Sequence, residues 1–148
     1  MFTFGLQMSA SLEPYVGYAN GASHSTQNLS SATSTIFSPN GELVSLYGIC
    51  ISCSTNNIVE YSKMINLLSD AISLGIHYIV IRLDSQLVVL QLANVYSVRS
   101  PTILRMFLRV HLLERHSDFN QYQHISRNLN TLIDMLANHV LDKHLRHM

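Results

Sequence analysis

The sequence predicts an α/β domain, a mixed sheet with helices packed on it. Three observations carry that prediction. The run from Tyr78 to Asp84 is short, apolar and rich in β-branched and aromatic residues, with charge only at Arg82 and Asp84. Such a run is a strand buried on both faces. Ser38-Pro-Asn-Gly41 is a tight-turn sequence between two strand-like runs, because proline presets one φ and Asn-Gly accepts positive φ. Elsewhere apolar residues recur at steps of three and four, the spacing of helices with one buried face. Antiparallel strands first and helix-linked strands later imply a mixed sheet.

Taken in order, residues 1–12 carry no arginine or lysine and resemble neither a secretory signal nor a transit peptide. They are expected to form a flexible tail, with one domain over 13–148. Tyr15 to Ala19 is a first strand, and Gly21 marks a sharp bend after it. The stretch from His24 to Ser34 is rich in Ser, Thr and Asn without periodicity and reads as a loop. Thr33 to Phe37 and Glu42 to Cys53 form an antiparallel hairpin. Asn57 to Leu74 is the clearest helix, with Ile58, Tyr61, Ile65, Leu68 and Ile72 on one stripe. Asn57 and Glu60 resemble a capping box, and Gly75 ends the helix. After the buried strand, Leu87 to Leu92 is a short helix. Pro101 opens another, whose inner face is Ile103, Phe107, Val110 and Leu113. Asp118 to Ile125 is a weak strand. Asn128 to His144 closes the chain as a helix with Leu129, Leu132, Leu136, Val140 and Leu141 on one side.

The chain has 148 residues, 47% of them apolar, which suits one domain with a real core. Only 12% are charged, about half the usual share of roughly 25%. Net charge is zero, so no global basic field draws the chain onto nucleic acid or an anionic membrane. Contacts with nucleic acid would be local and built from neutral donors. No run approaches the roughly 18 apolar residues of a membrane span. An intracellular protein of unassigned compartment is expected, with no membrane partner. Cys50 and Cys53 have C-x-x-C spacing, but residues three apart on a strand point to opposite faces, which suits buried strand residues better than a metal or redox pair. The eight histidines, among them His139, His144 and His147, lack a supporting ligand pattern.

Four positions of this layout are candidates to converge at one end of the sheet: Asn20 after the first strand, Glu60 in the first helix, Asp84 after the buried strand and Asp134 in the last helix. Asp84 stands at the carboxyl end of a buried strand, where ligands and catalytic groups collect in open α/β sheets. Clustered carboxylates are costly unless a cation neutralises them, and hard divalent ions do so with oxygen ligands. Two such ions can clamp an attacking water and a leaving oxygen in phosphodiester hydrolysis. Each residue also has a structural role open to it. Asp84 or Ser85 can be an N-cap, Glu60 a capping-box residue, and Asp134 a solvated helix residue.

Asn20-Gly-Ala-Ser23, Thr55-Asn-Asn-Ile-Val-Glu-Tyr61, Leu83-Asp-Ser-Gln-Leu-Val88 and the run from His124 to Ala137 resemble, in order and spacing, the successive motifs of type 1 ribonuclease H. They are most similar to the ribonuclease H domain of plant long-terminal-repeat retroelement polyproteins. The resemblance covers Tyr15 to His144 and implies a ribonuclease H-like fold, a five-stranded mixed sheet flanked by helices. It also implies magnesium-dependent cleavage of the RNA strand of an RNA/DNA hybrid, with manganese as an alternative ion and a reverse transcriptase domain as an ancestral partner. Glu60, Asp84 and Asp134 match three of the family's four metal-binding carboxylates. Asn56, Asn57 and Gln86 match neutral residues that contact the hybrid in its minor groove, and Ser23 matches a first-turn residue that contacts backbone. A-form-like duplexes are read through shape, 2′-hydroxyls and phosphates, which amides can do without net charge. His124 lies ten residues before Asp134, as the family's proton-shuttling histidine does.

The chain departs from the family where its first aspartate, the residue that bridges both metals, is Asn20. An amide oxygen coordinates but brings no charge, so the two-ion site is impaired and activity is weakened or lost. Ile133 replaces a smaller alanine beside the last aspartate. The glycine-rich first hairpin and the basic loop are absent. The alternative is a non-enzymatic scaffold that binds hybrid or protein through the same fold.

Overall fold

The computed structural model describes residues 13–24, 29–52 and 56–146. The chain runs β1 (Tyr15–His24), β2 (Leu29–Phe37), β3 (Leu43–Ser52), α1 (Asn56–Ser73), β4 (Tyr78–Leu83), α2 (Gln86–Leu92), α3 (Pro101–Glu114), β5 (Phe119–His124) and α4 (Arg127–Arg146). The five strands form one mixed sheet in the order β3-β2-β1-β4-β5. β1 pairs antiparallel with β2 and β2 with β3, whereas β4 lies parallel to both β1 and β5. The expected α/β class, the mixed sheet and its five strands are all present.

The hairpin between β2 and β3 closes as its turn residues require. Gly41 has φ +85°, and its N–H donates to the Ser38 carbonyl at 2.9 Å. The strands before it are longer than the sequence suggests. The stretch read as a loop from His24 to Ser34 is strand from Leu29 onward, and β1 continues through Ser23 to His24, paired with Leu29. Small hydroxyl residues carry no hydrophobic alternation there, but β2 is flanked on both sides, so its backbone groups are satisfied by β1 and β3 whatever its side chains. Residues 1–12, 25–28, 53–55 and 147–148 lie outside the described part, and with them the expected tail and Cys53.

The core lies between the sheet and the helices α1 and α3. α1 buries Tyr61, Met64, Leu67, Leu68 and Ala71, while Ile58 and Ile65 pack at its edge. The buried stripe is therefore turned one step from the predicted one. Leu67 comes so close to β1 that a Cβ on Gly17 would stand 2.8 Å from its Cδ2 atom, so any larger residue there would have to displace the buried Leu67 side chain. Tyr61 donates to Gln91 at 2.8 Å, both side chains buried, and so ties α1 to α2. α3 starts where Ser100 caps it and Pro101 takes the first turn. It buries Ile103 and Val110, with Phe107 and Leu113 packed against the core, as the spacing predicts.

α4 contradicts its own periodicity. Leu129, Leu132, Leu136 and Val140, the apolar side of the sequence reading, are 44–51% exposed. Among the described side chains of α4 the buried ones are Asn130 and Ala137, and the side chain of Leu141 lies outside the described part. The Asn130 side chain donates to the Ala19 carbonyl at 2.7 Å and so ties α4 to β1.

A candidate carboxylate site where the parallel strands end

Parallel pairing places Ala19, Leu83 and His124 in one row across β1, β4 and β5. Beyond that row β1 and β4 part. Asn20 continues in β1, paired only with Thr33 of β2, and Asp84 leaves β4 toward α2. Crevices outside the carboxyl ends of parallel strands are where α/β sheets hold ligands.

Asp84 is not a helix cap. Ser85 takes that role, its hydroxyl accepting from the Val88 N–H at 3.3 Å. The Asp84 side chain, 4% exposed, is left with Arg127 Nε at 3.9 Å from Oδ2. That guanidinium is largely in solvent, so the pair is weak.

Glu60 does not serve a capping box either. Its Oε1 accepts from Lys63 Nζ at 2.7 Å, and Oε2 is buried without a partner among the described residues. Burial pushes the Glu60 carboxyl above its ordinary value. Lys63 opposes that shift, the charge of Asp84 adds to it, and Arg127 opposes it. Glu60 and Asp84 therefore feel one another's charge. Asp134 is half-buried on α4, one turn beyond Asn130. Its Oδ1 is buried without a partner among the described residues, and burial raises its carboxyl too.

The remaining predicted residues sit around this end of the sheet. His124 is exposed at the last position of β5. Gln86 is exposed at the first position of α2, while Asn56 and the half-buried Asn57 start α1. Ser23 is not in a turn but in β1, opposite Ser30. Ile133 lines an apolar cavity of about 290 Å³ with Val16, Tyr18, Phe37 and Pro39, and none of the candidate acids borders it. Sequence reasoning missed Lys63, Arg127 and Asn130. The spacing of three between Glu60 and Lys63 was the available signal for the first.

Residues 18–140 match the reverse transcriptase-like family. The chain belongs to the reverse transcriptase-like family, with the ribonuclease H fold. It is 33% identical over 125 residues to ribonuclease HI of Halobacterium salinarum, covering 84% of this chain and 63% of that protein. The crystal structure of RNase H1 from that archaeon superposes with a TM-score of 0.76 at 32% identity, over 88% of this chain and 98% of that one. RNase H1 LC11, isolated from compost and solved in complex with an RNA/DNA hybrid, gives 0.74 at 26% identity over 88% and 99%. A bifunctional protein of Mycobacterium tuberculosis is 34% identical over 92 residues, 62% of this chain; the chain spans only 25% of that relative's length.

The donor set fits a hard divalent cation. It offers carboxylate oxygens, and Glu60 Oε2 and Asp134 Oδ1 are buried atoms that lack any other partner among the described residues. The arrangement is open, however. Among the described residues no group of three or more His, Cys, Asp or Glu closes to metal-holding distance. One oxygen of Glu60 is already engaged by Lys63.

Proposed function

We propose that this chain is a nucleic-acid-binding ribonuclease H domain of retroelement origin that acts on RNA/DNA hybrids and whose hydrolytic activity is weak or lost. The observation that carries this reading is the end of the β1–β4 pairing at Ala19 and Leu83, past which an amide residue, Asn20, and Asp84 are the next residues of the two segments. In this reading Glu60, Asp84 and Asp134 hold magnesium or manganese with help from Asn20. Held there, a divalent ion would supply Lewis-acid activation of a water and neutralisation of charge on a leaving oxygen. His124 relays a proton from its exposed place at the end of β5. Ser23, Asn56, Asn57 and Gln86 would touch the hybrid, the last from its exposed place at the start of α2. The hybrid in the LC11 complex and the 88% coverage of this chain by that structure support the substrate class. A reverse transcriptase tethered in the same polyprotein is the proposed ancestral partner.

Cleavage of a labelled RNA/DNA hybrid in magnesium and in manganese tests the reading, with Asn20→Asp and Asp84→Asn beside the parent. Loss of a group acting on transition-state charge costs on the order of hundreds-fold in rate, so Asn20→Asp should recover about that much. Parent cleavage that Asn20→Asp fails to improve, and that Asp84→Asn abolishes, would mean that asparagine suffices as a ligand. The scaffold alternative draws on the exposed apolar side of α4 and predicts no measurable hybrid affinity and no effect of Asn57→Ala or Gln86→Ala.

A further inference from the structure

Lys63 is the least expected residue of the core. It lies on α1 among Tyr61, Met64 and Leu67 and is 0% exposed. A buried ammonium is strongly unfavourable unless a carboxylate faces it at hydrogen-bond distance. Glu60 Oε1, at 2.7 Å, meets that need. The same carboxylate has its second oxygen buried and unpartnered, aimed at no other described group. Glu60 is thus shared between a cation that the chain carries permanently and any cation that arrives from solution.

Counting charge makes the competition concrete. Glu60, Asp84 and Asp134 contribute three negative charges, and Lys63 and Arg127 return two positive ones, leaving one negative charge. Arg127 is mostly in solvent and can swing away, whereas Lys63 is fully buried. The neutral Asn20 adds nothing to the negative side.

We propose that Lys63 is a built-in counter-ion of the carboxylate site: its ammonium holds the Glu60 carboxylate that a divalent cation would otherwise take, so the chain binds such cations weakly. The proposal rests on the reading of Glu60, Asp84 and Asp134 as the cation site. It assigns the weakness of that site to a second residue besides Asn20, on a different element. Restoring the acid at position 20 alone then leaves Glu60 still paired.

The test is calorimetric titration of Mn2+ into the whole chain, free of nucleic acid, together with thermal melts with and without Mn2+. The variants are Lys63→Met, which keeps the packing, and Lys63→Ala, which keeps helix propensity and leaves room for water beside Glu60. Each is also made with Asp84→Asn. Removing a like charge a few ångströms away in a protein interior is worth about tenfold or more in affinity. Both variants should therefore bind Mn2+ at least about tenfold more tightly than the parent, with Mn2+ raising their melting midpoints more than the parent's, and Asp84→Asn should erase the gain. Equal affinity in parent and variants overturns the proposal. If that equal binding is lost with Asp84→Asn, the carboxylate site itself stands and only the role of Lys63 falls. If none of the proteins binds Mn2+, the proposal and the cation site fall together. Hybrid affinity of the same preparations in EDTA then reports separately on the family reading.

Discussion

Asp134 shows how far one side chain can be understood from its surroundings. Its Oδ1 is buried, no cation offsets it among the described residues, and burial raises its carboxyl from the ordinary value of 3.8. A raised folded-state value means that the folded form binds the proton more tightly than the unfolded one. The contribution to stability is then full below 3.8 and is lost as pH rises through the raised value. Without divalent cation, Asp134→Asn should melt higher than the parent at pH 7, and the gap should close as the pH is lowered toward 4. Melting curves across that range decide it; a lower midpoint for the variant at pH 7 would mean that the charged carboxylate has a partner that offsets its burial. The sequence makes Asp84, Glu60 and Asp134 legible because each stands in a recognisable motif at an element end or helix face. It hides Lys63 and Asn130, because a lysine and an asparagine within a helix ordinarily read as a solvated face. Only the fold reveals that one meets Glu60 and the other the Ala19 carbonyl.

At the scale of elements, α4 separates pattern from placement. Its apolar residues recur at helical spacing, yet Leu132 and Leu136 are about half exposed, while Asn130 and Ala137 face the sheet. Leu132→Gln and Leu136→Gln, which keep helix propensity, should each change stability by less than about 0.5 kcal/mol. Leu68→Ala on α1, where the side chain is fully enclosed, should cost about 2–5 kcal/mol. Chemical denaturation of the three variants measures this, and a loss above about 1.5 kcal/mol at Leu132 would place that residue in a core. α1 and α3 were legible because their stripes are long and their ends are marked by Gly75 and Pro101. β4 was legible as a continuous apolar run. Of β2 only Thr33 to Phe37 was legible, because Leu29 to Thr35 is mostly Ser, Thr and Ala, and the strand state of its first half comes from neighbours on both sides rather than from its own pattern.

Across the whole molecule, nine basic and nine acidic residues leave no net charge with histidine neutral. Two of the cations are engaged inside the fold, since Lys63 holds Glu60 and Arg82 lies between Tyr18 and Gln123 at 2.9 and 3.0 Å. Binding of a polyanion then has two routes. One uses hydroxyl and amide groups at the carboxyl end of the sheet, which release few counter-ions. The other uses the exposed Arg105 and Arg109 on α3, which would release more. Each neutralised phosphate adds roughly 0.7–0.9 to the slope of log Kd against log salt. If the crevice residues carry hybrid binding, as proposed, the slope measured in EDTA should stay below about 3. Asn57→Ala and Gln86→Ala should then weaken affinity without changing that slope. A slope that falls by about 1.4–1.8 when Arg105 and Arg109 become glutamine would move the interface to α3. The neutral composition would then conceal a local basic patch, and the crevice between β1 and β4 would lose its claim to the substrate.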